Sequence, residues 1–257
     1  MMLFIAGALG GAVAAEAGCL DAVTEVRAAA VPDARSLTID DGRVLRVAGI
    51  EPFDLLRPDL AAAESALEER LAELVADTPL SVQLIAEKAD RYGRIPAMIA
   101  AGGTLLQEAL AREGLAIAFA SGDPLPCFDR ILAAEETARG EDRGFWAGAS
   151  VPNAFPAALA ARIGSFALFE GRILSVGNRG ARTYLNFGRR WADDVTVEIE
   201  ARDRGRFGGE AGLSAHAGKR VRVRGFLEAK AGPMMAIRSP MQLELLSADT
   251  DEREGAP

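Results

Sequence analysis

The sequence predicts a mainly β fold with added helices, arranged in two parts. Three observations carry this. Over residues 22–50 apolar and polar side chains alternate with a period of two, the pattern of half-buried strands. Over residues 58–76 the spacing changes to three and four, that of an amphipathic helix. After Val151-Pro152-Asn153-Ala154-Phe155-Pro156 a strand-rich region begins, with about five short runs between turns, the pattern of a small β-barrel.

The elements follow in order. Val23, Val26 and Ala28, then Leu37 and Ile39, then Val44 to Val47 mark three strands. Asp40-Asp41-Gly42-Arg43 between the last two is a hairpin signal. Leu60, Ala63, Leu67, Leu71, Leu74 and Val75 form the apolar stripe of the first helix, with Glu64, Glu68, Glu69 and Glu73 largely on the other side; Pro79 ends the run. Residues 80–85 and 95–100 are strands, and Gly102-Gly103 turns the chain. A short helix over 105–113 closes at Gly114, and a third over 128–139 turns Ile131, Leu132 and Ala138 inward. In the second part, 166–176 is one strand and Gly177-Asn178-Arg179-Gly180 its turn. Strands follow at 183–187, 195–199, 220–225 and 235–237.

Composition bounds the chemistry. The 257 residues are 49% hydrophobic, enough for two cores. The net charge of -8 argues against a wholly basic nucleic-acid binder, but it is uneven. Residues 1–160 hold 13 Lys and Arg against 24 Asp and Glu; residues 161–247 hold 15 against 9. Met1 to Ala15 is apolar and small and resembles the core of a secretory signal ending Val13-Ala14-Ala15, although no Lys or Arg precedes it. It is too short and too rich in Gly and Ala for a membrane span. Export to the periplasm is the expectation, with a signal over residues 1–18. Cys19 and Cys127 are the only cysteines, which excludes a Cys-rich zinc framework. They form either a disulfide, tying the mature N-terminus to the last helix of the first part, or two separate thiols. One histidine, His216, set in a loop between Gly212 and Gly218, excludes a polyhistidine metal site and argues against a Ser–His–Asp triad. No phosphate-cradling Walker loop and no dinucleotide fingerprint is present.

The chemistry concentrates in Asp90-Arg91-Tyr92-Gly93-Arg94 and, about forty residues earlier, Arg46-Val47-Ala48-Gly49-Ile50-Glu51-Pro52-Phe53-Asp54. Phosphodiester cleavage needs fixed positive charge on a pentavalent phosphorane, and carboxylates that hold a metal and orient water. With the helix around Leu105 to Leu110 and the closing Gly144-Phe145-Trp146, residues 30–147 resemble the staphylococcal nuclease (thermonuclease) family. The resemblance implies a five-stranded OB-type barrel with three helices, over residues 22–148. It implies that Arg46 and Arg94 bind the scissile phosphate, guanidinium forks suiting its oxygens. Asp54 stands where the family has the glutamate that activates water, shorter in reach by roughly 1.5 Å. Glu51 stands in place of a metal-binding aspartate, and Tyr92 is placed either to stack on a base or to cap the barrel.

One position departs from the family. Where it shows Asp-Gly-Asp-Thr, this chain has Asp33-Ala34-Arg35-Ser36, so Arg35 takes the place of a calcium ligand. Exchanging -1 for +1 near a divalent ion costs on the order of several kcal/mol, and arginine offers no oxygen. The family Ca2+ site is therefore expected to be weak or absent. Two readings of the arginines stay open: a phosphate clamp, or an internal network in which Arg35 neutralises Glu51 and Arg94 pairs with Glu51 or Asp54.

Residues 161–247, after a linker at 149–160 and before an acidic tail at 248–257, resemble a bacterial OB-fold nucleic-acid-binding module. The carrying residues are Tyr184-Leu185-Asn186-Phe187-Gly188, Val195-Thr196-Val197, Val221-Arg222-Val223-Arg224-Gly225 and Met235-Ala236-Ile237. Such modules bind single strands through a basic groove and exposed aromatics. Arg179, Arg182, Arg189, Arg190 and Trp191 around Tyr184 and Phe187 fit that description. Equally, Tyr184 and Phe187 fit a core, and Arg220, Arg222 and Arg224 the wet face of a strand. The chain thus reads as two tandem OB-like barrels. The function expected is that of an exported thermonuclease-like protein binding DNA or RNA, with hydrolysis weakened or lost at Arg35. The alternative is a non-catalytic envelope scaffold whose two modules take protein or polyanion partners.

Overall fold

The computed structural model describes residues 18–57, 62–190 and 193–246. Residues 1–17 of the expected signal segment at 1–18, the start of the helical stripe at Pro58 and Leu60, Trp191 and the acidic tail at 248–257 lie outside the described residues.

The first barrel begins with the predicted meander of β1 (Thr24–Asp33), β2 (Ser36–Ile39) and β3 (Val44–Val47). Two register shifts in β1 let it bend around the core. The chain then leaves the barrel as β4 (Ile50–Pro52) and a 3-10 turn (Phe53–Leu55) before α1 (Ala63–Val75). Ala63, Leu67, Leu71 and Val75 recur every four residues and form the buried stripe of α1. β5 (Pro79–Leu84) pairs with β1, and β6 (Arg94–Ala101) with β5; β6 then pairs in parallel with β3 and closes the ring. β7 (Thr104–Leu105), α2 (Leu106–Arg112), β8 (Ala116–Ala118) and α3 (Phe128–Gly140) complete the domain. β8 pairs with β4 in a separate two-stranded sheet, which its three residues gave no period to predict. Gly114 has φ +71°, and a Cβ there would lie 2.2 Å from the Arg143 carbonyl oxygen. The bare backbone lets the chain after α2 cross the chain after α3.

Cys19 and Cys127 are joined in a disulfide that closes a loop of 108 residues onto the start of α3.

The second barrel follows α4 (Pro156–Leu159). Its strands are β9 (Phe166–Arg172), β10 (Ser175–Arg179), β11 (Arg182–Asn186) and β12 (Thr196–Glu200), then β13 (Arg220–Lys230), β14 (Gly232–Ala236) and β15 (Leu243–Leu245). α5 (Gly209–Ser214) lies between β12 and β13. The path is β10-β11-β12-β14-β13-β9. The run predicted as one strand over 166–176 is broken at Ile173-Leu174. Ile173 donates its N–H to Lys219 and Leu174 to Asn186, so the two halves face opposite neighbours and close the ring. The expected turn at 177–180 is shorter: β10 runs through Arg179, held in register against Arg182 by the hairpin. In both barrels the first strand lies between the second and fourth, and the third and fifth run parallel. This is the path of OB-type barrels.

The arginines of β13 correct a sequence expectation. Val221 and Val223 fill the second barrel, as alternation requires, but Arg222 and Arg224 are only 2% and 1% exposed. Their face is covered by α3. Arg222 lies opposite Glu170 on β9 and Glu244 on β15 in cross-strand register. It bonds both, and reaches Glu136 of α3 at 2.7 Å. Arg224 bonds Glu135 of α3 at 2.9 Å, Glu244 at 3.1 Å and the Ala118 carbonyl at 2.7 Å. Burial alone would lower the pKa of Arg222; Glu244, Glu136 and Glu170 outweigh it and raise it above the ordinary arginine value. Beside this ladder Phe53, Ile117 and Trp146 pack on Phe166 and Leu168, and the rings of Phe119 and Phe166 meet edge to face at 5.1 Å. The segment containing Pro152 and Pro156 is held along β9, with Ala154 donating to the Glu170 carbonyl at 2.7 Å.

Arg224→Met leaves Glu135 buried without its cation, and denaturant unfolding should show a loss of about 3–5 kcal/mol; adding Glu135→Gln should recover part of it. Replacing both cysteines by serine should destabilise the chain by about 4–5 kcal/mol, the loop-closure value for a ring of this length, read as a fall in melting midpoint.

Candidate functional site

The residues singled out in the first barrel gather at the β3–β6 seam. Val44 lies opposite Arg94 and Arg46 opposite Pro96. Leu45 and Val47 point into the core, so Arg46 and Arg94 share the outer face of adjacent strands, two residues apart in register. That placement suits one phosphate. Their guanidinium groups, however, are engaged separately.

Glu51 on β4 is buried and sits between two arginines. One carboxylate oxygen accepts from Arg46, and the other accepts from Arg35 at 3.1 Å. Arg35 also reaches Glu64 at the start of α1, at 3.4 Å. Its backbone N–H is fixed by the Asp33 carboxylate at 2.8 Å, which closes the loop between β1 and β2. Burial would lower the pKa of Arg35, but Glu51 first and then Glu64 and Asp33 raise it. Asp54, in the 3-10 turn, is half-buried and forms no ion pair among the described residues.

Arg94 is turned toward its own loop. Asp90 accepts from the Arg94 side chain at 3.0 Å, from its N–H at 3.0 Å and from the Tyr92 N–H at 2.8 Å. The Arg94 N–H, then its guanidinium and the Tyr92 N–H, hold the Asp90 carboxyl below its usual range. Tyr92 is 64% exposed, and the guanidinium carbons of Arg91 and Arg94 approach its ring, at 4.7 and 5.0 Å from the centroid. An exposed ring with two cations beside it offers aromatic surface next to positive charge. It does not cap the barrel.

This donor set does not fit calcium. The ion requires six or more hard oxygens. Both oxygens of Glu51 already accept from guanidinium groups, and Arg35 beside it offers no oxygen. Among the described residues no three His, Cys, Asp or Glu side chains come together in a metal-binding group.

The second barrel carries a cleft of about 950 Å³. Its floor is the outer face of β10, β11, β12 and β14, and the β10–β11 and β13–β14 turns stand at its edges. Arg182, Tyr184 and Arg189 all line it. Phe187 does not: it is core, edge-on to Phe169 at 5.5 Å. Tyr184 lies directly opposite Glu198, which the sequence reading did not single out. Arg182 approaches Glu198 at 3.4 Å, and its pKa is raised, first by a hydrogen bond to Tyr184 and then by Glu198. Thr196-Val197-Glu198 alternates, and that period alone would have placed Thr196 and Glu198 on the outer face. His216 bonds the Gly212 carbonyl at 2.8 Å and is structural.

Residues 63–148 match the family model of staphylococcal nuclease homologues. The match runs from the first residue of α1 past the 3-10 turn at Trp146. It includes Asp90, Tyr92 and Arg94, whereas Arg35, Arg46, Glu51 and Asp54 precede it. No curated protein matches the chain. The fold is thus a staphylococcal-nuclease-like OB barrel followed by a second barrel of the same path, and nucleic-acid binding or hydrolysis is the activity to which the nuclease homologues point.

Calcium at millimolar concentration should leave the melting midpoint of the native chain unchanged. Arg35→Asp removes one cation from Glu51 and adds a carboxylate beside it and Glu64. Calcium at ten times its dissociation constant should then stabilise that variant by about 1.4 kcal/mol, read as a metal-dependent rise in midpoint.

Proposed function

We propose that this protein binds single-stranded nucleic acid and does not hydrolyse it. The observation carrying this reading is Glu51 held between Arg35 and Arg46. A phosphodiesterase of the staphylococcal type needs that carboxylate for a metal and Arg46 for the phosphorane; here the two neutralise one another, and Arg35 takes up the second carboxylate oxygen. Releasing Arg46 to a phosphate would leave Glu51 beside the incoming negative charge. Binding is a different matter. Arg91 and Tyr92 are exposed beside Arg94, and the cleft of the second barrel is edged by cations. Stacking plus backbone neutralisation is sufficient for single-strand affinity and needs no metal.

The setting proposed is the periplasm. The apolar segment before Glu16 and the Cys19–Cys127 disulfide both support an oxidising compartment.

The test is anisotropy titration of a labelled single-stranded oligonucleotide with the full chain, together with prolonged incubation of single- and double-stranded DNA in calcium. Affinity should fall steeply as salt rises, and Tyr92→Ala should weaken it roughly tenfold, the scale of one lost base stack. The DNA should stay intact. Calcium-dependent digestion abolished by Arg46→Ala, or no salt-dependent binding at all, overturns the reading.

A further inference from the structure

The floor of the second cleft contains two buried polar side chains that are incompletely bonded. Glu198 is 4% exposed and Thr196 7%; Oε2 of Glu198 and Oγ1 of Thr196 form no hydrogen bond. Both residues line the cleft, two apart on β12 and therefore on one face. The other oxygen of Glu198 faces Arg182. A buried carboxylate oxygen with no donor is costly, and the cost is relieved when a ligand brings one.

The surroundings restrict which ligand. Arg179, Arg182, Arg189 and Lys230 line the same cleft, against one further carboxylate, Asp194, which is already bonded to the Arg190 N–H at 2.6 Å. A cationic ligand, such as a lysine or arginine side chain, would meet this positive rim before reaching Glu198. The ligand that fits has donors at one end and negative charge at the other. Tyr184 and, on β14, Pro233 and Met234 add aromatic and apolar surface to the floor beside Glu198 and Thr196. The space is then suited to a flat ring carrying a phosphate.

Among nucleobases the floor discriminates. An ionised carboxylate only accepts, whereas a threonine hydroxyl both donates and accepts. Guanine presents, in a row, the acceptor O6 and the adjacent donors N1–H and N2–H. Adenine and cytosine each place a ring-nitrogen acceptor beside their amino group, and uracil flanks its one N–H with two carbonyls. In each of those the carboxylate would face a lone pair.

We propose that the second cleft is a guanine-nucleotide site, with Glu198 accepting from N1–H and N2–H, Thr196 donating to O6 and the rim arginines and Lys230 facing the phosphate. This rests on the nucleic-acid reading above and names the base it selects. The guanine is supplied either by a free nucleotide or by a single strand, and the test separates the two.

Calorimetric titration of the full chain with GMP, IMP, AMP and UMP forms the first arm. GMP should bind; IMP, which lacks the N2 amino group, should bind about tenfold more weakly, the scale of one lost bond to a charged group. AMP and UMP should be weaker still. Glu198→Gln, which preserves size, should remove the preference of GMP over AMP, while Arg189→Ala should weaken both alike. In the second arm a pentanucleotide with a central guanine is compared with the same strand carrying adenine. Preference in the pentanucleotide with no measurable GMP binding assigns the site to strands; preference in both assigns it to the nucleotide itself. Equal binding of GMP and AMP together with equal binding of the two pentanucleotides, or a guanine preference untouched by Glu198→Gln, overturns the proposal and leaves single-strand binding standing. Failure of every ligand overturns both.

Discussion

Arg222 and Arg224 must be paired, because they are buried where the second barrel meets α3 of the first. Two guanidinium groups withdrawn from water lose several kcal/mol of hydration each, and only close carboxylates offset that. Glu170 and Glu244 supply them from neighbouring strands, and Glu135 and Glu136 from across the junction. The ladder therefore fixes register within the second sheet and docking between the barrels at once. The aromatic contacts of Trp146, Phe119 and Phe166 gain from that docking but have little directional preference of their own.

Both halves use one strand path, yet they treat their charged surfaces in opposite ways. In the first barrel the parallel β3–β6 seam brings Arg46 and Arg94 onto one wall, and local carboxylates then engage each of them. Arg35 completes the neutralisation of Glu51. In the second barrel a sheet face remains open as a cleft, with Glu198 and Thr196 incompletely bonded beneath it. Two such groups side by side beneath an open cleft mark where an external ligand would contribute.

Much of this was legible in the chain. The period-two runs, the stripe of α1 and the turn at Asp40 to Arg43 all correspond to observed elements, because local sterics and one-sided burial decide them. The alternating arginines of β13 were legible as a strand but not as an interface. Periodicity says which way a side chain points, and nothing in it says what lies opposite. The break at Ile173-Leu174 was hidden for the same reason: it is a change of hydrogen-bond partner, without any change in residue type.

The sequence by itself determined the inventory: two barrels' worth of strands, two cysteines, an arginine at position 35 and a Tyr-Gly-Arg turn. Tertiary structure decided the pairings. It placed both oxygens of Glu51 on Arg46 and Arg35, turned Arg94 back onto Asp90, joined Cys19 to Cys127 across 108 residues, and set Glu198 under a cleft. The disulfide, the Arg35–Glu51 pair and the cleft depend on distances of a few ångström between residues well separated in the chain, and even the pairs four and five residues apart depend on how the folded strands and turns aim their side chains. Those distances exist only once each ring has closed.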